Sequence, residues 1–157
     1  MTHLNQPRKL RFAALIVLAV AAAFATTVAS AATDSGRGAT VRTQSSSLGK
    51  ILVDTNGRTV YLFAKDKRNK SMCSGSCAAY WPPLLTHGKP IARGSAKASL
   101  LSTTRRSDGS TQVTYAGHPL YRFALDTKAG QTKGEGLDDF GGEWDAVTPA
   151  GKHAEKD

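Results

Sequence analysis

Apolar and aromatic residues along this chain come in short runs, each closed by a glycine-marked turn. Ile51-Leu52-Val53, then Asn56-Gly57, then Thr59-Val60-Tyr61-Leu62-Phe63 predict a β-hairpin. β-Branched and aromatic residues fill its flanks, and Asn-Gly readily supplies the two positive-φ residues of a type I′ turn. The pattern then returns: Gln112-Val113-Thr114-Tyr115, Ala116-Gly117 and Leu120-Tyr121-Arg122-Phe123 predict a second hairpin. Gly49 and Gly109 mark an earlier turn in each copy, which adds a strand to each hairpin. Helical signals are few. The expectation is an all-β domain of two pseudo-symmetric antiparallel meanders, packed face to face as a small sandwich or barrel.

The two hairpins are copies of one another. Leu52–Asp66 aligns on Gln112–Asp126 without a gap at a constant offset of 60, so that Gly57 falls on Gly117, Tyr61 on Tyr121, Phe63 on Phe123 and Asp66 on Asp126. Upstream, Thr43 matches Thr103, Ser47 matches Ser107 and Gly49 matches Gly109; downstream the register slips by three, and Trp81-x-x-Leu84 matches Trp144-x-x-Val147. The repeats run over about 41–84 and 101–147, within a two-repeat domain at 48–150. Neither copy buries a core alone. Side chains alternate along a strand, so each Tyr-x-Phe puts both rings on one face, with Leu62 or Arg122 on the other. Tyr61, Phe63, Tyr121 and Phe123 are therefore expected to point inward as core. Asp66 and Asp126 follow at the strand ends, where a short carboxylate accepts backbone N–H bonds and fixes the loop. The competing reading of these six residues is a pseudo-symmetric pocket for a sugar or small polar ligand.

Outside the repeats the composition changes. Arg8, Lys9 and Arg11 precede an apolar stretch from Phe12 to Val28, and Ala29-Ser30-Ala31 carries small residues where a signal peptidase reads. Residues 1–31 are read as a cleavable signal peptide, which places the protein outside the cytoplasm, secreted or periplasmic. The apolar stretch is shorter than the roughly 20 residues a spanning helix needs, and no stable membrane span is expected after cleavage. Residues 32–47 read as a flexible linker with a possible first strand at Val41 and Thr43, and 151–157 as a mobile polar tail. Cleavage removes three of the 21 Lys and Arg and none of the 12 Asp and Glu, taking the formal charge from +9 to 18 − 12 = +6. Apart from Lys65, Lys67, Arg68 and Lys70 in one loop and the pair Arg105-Arg106, the basic residues are scattered, with no aromatic-studded groove for nucleic acid. A solvated basic surface facing anionic envelope polymers fits better.

Chemistry-bearing residues are sparse. Cys73 and Cys77 are the only cysteines, and in an exported chain they are expected to form a disulfide. So short a loop gives about 2 kcal/mol by chain entropy, enough to pin the segment before Trp81. The alternative is a soft copper site from Met72, Cys73 and Cys77 with His87 or His118. Some copper chaperones of cytochrome oxidase assembly use a Cys-x-x-x-Cys pair with a distant His, which this chain resembles in spacing only. A redox-active dithiol normally has two intervening residues, not three. His118 follows the second hairpin turn and is expected to face solvent. No nucleophile elbow, phosphate-cradling loop or ordered Ca²⁺ loop occurs, so neither an enzyme nor a cofactor other than copper is expected.

The doubled Tyr-x-Phe-x-x-Asp, the Cys-x-x-x-Cys before Trp81-Pro82-Pro83-Leu84, and Gln112-Val113-Thr114-Tyr115 before Pro119-Leu120-Tyr121 together resemble the bacterial secreted-repeat family. Its members are described as predicted lipoproteins with a Tyr-x-aromatic-x-x-Asp motif and no established activity. The resemblance covers about 48–151. It implies a non-catalytic envelope or binding module of unknown ligand, the alternative being a copper- or redox-handling envelope protein that uses Cys73 and Cys77. One departure matters: a lipoprotein carries Cys at the cleavage point, whereas the first Cys here is Cys73.

Overall fold

The computed structural model describes residues 36–155; the segment 1–31 read as a signal peptide lies outside them. The chain is nearly all β. Strands β1 (Thr40–Ser46) and β2 (Gly49–Val53) form an antiparallel hairpin, and β4 (Ile91–Ala92) adds in parallel to β1. Strands β5 (Leu101–Arg105), β6 (Thr111–Tyr115) and β7 (His118–Pro119) make the matching meander of the second copy. A third sheet runs β3 (Tyr61–Phe63), β9 (Gly142–Ala146), β8 (Leu137–Asp139). The one α-helix among the described residues, α1 (Ser76–Tyr80), is five residues long, and no helix among them is long and apolar enough to cross a membrane.

The two copies are joined by exchange rather than by packing finished sheets. At the centre Tyr61 and Tyr121 donate their backbone N–H groups to each other's carbonyls at 2.8 and 3.0 Å. From that pair, β3 of the first copy runs antiparallel to β9 of the second, Phe63 opposite Trp144. The equivalent strand of the second copy returns the favour, Arg122 N–H bonding Pro82 O and Ala124 N–H bonding Tyr80 O. Each Tyr-x-Phe strand therefore lies beside the other copy's tryptophan segment, which is how two incomplete halves make one core.

Strand pairing corrects the gapless alignment. Thr43 stands opposite Leu52, whereas Thr103 stands opposite Val113, so Leu52 corresponds to Val113 at an offset of 61. Leu52 N–H bonds Val147 O and Val113 N–H bonds Leu84 O, which fixes the same equivalence from the other side. The second copy spends an extra residue in its Arg106–Ser110 turn and saves one before Leu120. As a result Gln112, not Thr111, occupies the place of Ile51.

The turn types are also exchanged. Among the described non-glycine residues only Asn69, Ala116 and Phe140 have positive φ, so Asn56 does not form the expected type I′ turn. Instead the Asp54 carboxylate accepts the N–H groups of Asn56 and Arg58, Gly57 N–H closes on Asp54 O, and Gly57 alone is left-handed at φ 78°. A carboxylate at the start of the turn thus overrides the Asn-Gly preference. The two-residue turn with both φ positive is Ala116-Gly117. The possible first strand at Val41 and Thr43 is β1. The mobile tail is corrected for residues 151–155: His153 bridges Val147, Ala154 N–H bonds Ala146 O at 2.7 Å, and Gly151 and Ala154 are buried. The tail's anchor is backbone pairing, which an apolar-period reading does not register.

Candidate functional site

Four rings stack through the centre of the molecule. Phe123 lies on Trp81 (4.3 Å), Trp81 on Trp144 (3.9 Å, 5° between planes) and Trp144 on Phe63 (4.0 Å). Tyr61 meets Trp81 edge-on at 5.5 Å and Tyr121 meets Trp144 edge-on at 5.1 Å, the T-shaped geometry that aromatic quadrupoles favour. All six rings are buried. The period-two reading of the Tyr-x-Phe strands placed four of them on this face. The tryptophans' central position was missed, although their repeat at Trp-x-x-apolar was its signal.

The hydroxyls complete the exchange. Tyr61 OH donates to Asp126 Oδ2 at 2.5 Å, and Tyr121 OH donates to Asp66 Oδ2 at 2.7 Å, each tyrosine reaching the other copy's aspartate. The aspartates also cap their loops, Asp66 Oδ1 accepting Met72 N–H (2.6 Å) and Asp126 Oδ1 accepting Lys133 N–H (3.0 Å). Burial pushes the Asp66 carboxyl up to about 6 against the opposing pull of Met72 N–H, Tyr121 OH and Arg106. Burial raises Asp126 in the same direction, and burial followed by the adjacent carboxylate raises both tyrosines, so the phenols keep their protons. Gly134 belongs to this cluster: a Cβ there would sit 2.8 Å from Trp81 Cη2 and 3.0 Å from Tyr61 Cε1, which accounts for glycine beside the stack. None of the six motif residues lines the surface grooves described below.

Cys73 and Cys77 are both buried, with their sulfurs at bonding distance (1.97 Å) and Cα atoms 5.3 Å apart. Cys77 lies on α1, and its carbonyl accepts Trp81 N–H at 2.8 Å, tying the bridge to the stack. The other members of the copper alternative lie apart. Met72 is exposed on one groove and His87 on another, and no group of three or more His, Cys, Asp or Glu side chains suited to a metal occurs among the described residues. His118 departs from the expected solvent-facing position: it is half-buried at the start of β7, where burial and the nearby Arg68 charge lower its pKa.

The surface carries a contiguous basic track. One groove, about 650 Å³, runs between Leu85–Pro90 and the face of the β5–β6 hairpin, with Lys89, His87 and Arg105 on its walls. A second, about 770 Å³, shares Leu85, Thr86 and His87 with it and adds Arg37 and Arg93. A third, about 420 Å³, shares Arg105 and adds Lys70 and Arg106. Buried Thr86 fixes the shared wall, its hydroxyl accepting Ala39 N–H and donating to Gly88 O. Six Lys and Arg line these three grooves and no Asp or Glu does. A fourth groove is the reverse, with Glu135, Glu143, Asp145 and Glu155 around His153. Read along the sequence the cations are scattered; only folding lines them up.

The family model described as a secreted repeat of unknown function matches the chain twice, over residues 42–85 and 102–148. No curated protein and no solved structure matches it. The two matched segments are the two structural copies, the first ending past Trp81 and the second past Trp144, and together they cover more than half of the chain. The chain belongs to the family of secreted repeats of unknown function.

Proposed function

We propose that this is a non-catalytic envelope module, delivered by a cleavable signal peptide, that holds an anionic polymer along the track from Arg37 to Arg106. The observation that carries the reading is the continuity of the three grooves, which share residues in series and line up six Lys and Arg with no Asp or Glu in their lining. A low-dielectric wall lined by one sign of charge concentrates a polyanion and screens with salt. The interlocked core acts as the rigid frame. With Cys73 and Cys77 bonded to each other, the soft-metal alternative lacks its two thiolates, and metal analysis of protein purified without reductant is expected to find no copper.

The test is binding of the mature chain to a soluble phosphodiester polymer, poly(glycerol phosphate), across a series of salt concentrations. Affinity is expected to fall as salt rises, and to fall further in a Lys89→Glu, Arg93→Glu variant, while Lys128→Glu, outside the track, changes it little. Equal loss from Lys128→Glu and from the track variant would overturn the reading.

A further inference from the structure

Arg106 is the one Lys or Arg buried among the described residues, its side chain 4% exposed. It has no counterpart in the first copy, where the equivalent turn holds Ser46. Its Nη1 donates to Gln112 Oε1 (2.7 Å) and Ser71 Oγ (2.9 Å), and its Nη2 donates to Cys73 O (2.7 Å). A guanidinium has five N–H donors. Those three bonds leave the Nε hydrogen and one Nη2 hydrogen, and Nε is without a hydrogen-bond partner. What faces Nε is the carboxylate of Asp108, with Oδ2 at 3.6 Å, too long for a hydrogen bond; the Asp108 side chain is 61% exposed. Asp108 Oδ1 is meanwhile held by the N–H and hydroxyl of Ser110. An exposed surface carboxylate thus stands in front of a fixed, buried cation with donors to spare. Around the same groove lie the ammonium of Lys70, the guanidinium of Arg105 and the hydroxyls of Ser74 and Ser107.

We infer that this groove is a single-oxyanion site, built to take one phosphate-class group on the spare donors of Arg106, with Asp108 as the internal carboxylate the ligand displaces. A tetrahedral dianion suits it better than a carboxylate. Asp108 already presents Oδ2 to Nε at no translational cost, so a second carboxylate gains little by replacing it. A phosphate group brings further oxygens that reach Lys70, Arg105 and the serine hydroxyls at once, and a guanidinium held by three acceptors is preorganised for charge-assisted bonds. The inference deepens the proposed function, naming phosphate groups as what the polymer presents at this end of the track.

The experiment uses inorganic phosphate on the full mature chain, followed by the Arg106 Nε–H NMR signal, with sulfate and acetate as parallel probes. Phosphate is expected to shift that signal saturably, sulfate to do the same, and acetate to do so at least roughly tenfold more weakly. Asp108→Asn is expected to tighten phosphate roughly three- to tenfold by removing the resident carboxylate, and this exposed position leaves the fold intact. Arg106→Lys, which keeps the charge and loses the fork, is expected to weaken it by a similar factor. A phosphate effect confined to Lys70 and Arg105, acetate binding as tightly as phosphate, or no gain in Asp108→Asn overturns the site. Such a failure leaves the polymer reading standing if Lys89→Glu, Arg93→Glu still abolishes polymer binding; loss of polymer binding with an intact phosphate shift does the reverse.

Discussion

The two tyrosine–aspartate pairs come from one six-residue motif and are wired differently. Both aspartates accept one backbone N–H, from Lys133 at Asp126 and from Met72 at Asp66; the additional bonds around Tyr61 and Asp126 are Gly134 N–H to the phenol oxygen and the Arg58 guanidinium to the Asp126 carbonyl. Around Tyr121 and Asp66 they pass through side chains, the phenol bonding Ser71 Oγ, which also accepts from Arg106, which in turn holds Gln112. Asp126 is 1% exposed, whereas Asp66 is only part-buried. The lesson is that a duplicated lock keeps its central bond and its backbone cap while the partners around them diverge. Backbone partners survive most substitutions, while side-chain partners can be changed one at a time, and it is the side-chain copy that carries the buried arginine.

The harshest challenge to the symmetry is at the stack. Trp81→Ala and Trp144→Ala are each expected to cost about 3–5 kcal/mol, by lost transfer and an unfilled cavity. Urea unfolding of both variants measures this, and a loss confined to one tryptophan would mean that the two halves do not share the core equally. Next in size is the disulfide, which only the first copy has. Cys73→Ser, Cys77→Ser is expected to fold with a stability loss of about 2 kcal/mol or less, since the loop it closes is short. A drop in melting temperature without loss of native near-ultraviolet dichroism would bear this out.

Removing one hydroxyl separates the two locks directly. Tyr61→Phe strands a carboxylate with almost no access to water and is expected to cost about 2 kcal/mol; Tyr121→Phe, whose aspartate is better exposed, is expected to cost about 1 kcal/mol less. The reversed order in denaturant midpoints would refute the distinction between them. The smallest effect is a pH dependence. The Asp66 carboxyl is raised in the folded state to about 6 from an ordinary 3.8. Its contribution is therefore fully present below the unfolded value and lost as pH rises through the folded one. The midpoint of Asp66→Asn minus that of wild type should increase between those two pH values and be flat above them.

Much of this was legible before folding. Alternation placed Tyr61, Phe63, Tyr121 and Phe123 on one face, and the repeat marked Trp81 and Trp144 as equivalent. The one-residue shift at Leu52 and Val113 was hidden because a longer first turn and a shorter second one cancel, leaving the motifs in register on either side. The exchange of strands could not be read at all: sequence alignment shows that two segments are alike, not which copy's partner each one chooses. Nor could the basic track, because Lys89, Arg105 and Lys70 are separated along the chain and meet only on the folded surface. The acidic residues near Gly134 include structural ones, Asp139 accepting from both indoles and Glu135 accepting Ala146 N–H.

Strand exchange also sets when the protein can fold. The N–H of Leu52 waits for Val147, and β3 has its ladder partner in β9, more than 80 residues downstream. A chain emerging from its N-terminal end has its first hairpin turn early but no closed hydrophobic interior until Trp144 and the docked Ala154 have followed. Pairings this distant in sequence carry a high loop-closure cost and form late. In this member of a family described as secreted, that ordering leaves the shared core open until the second tryptophan segment is in place.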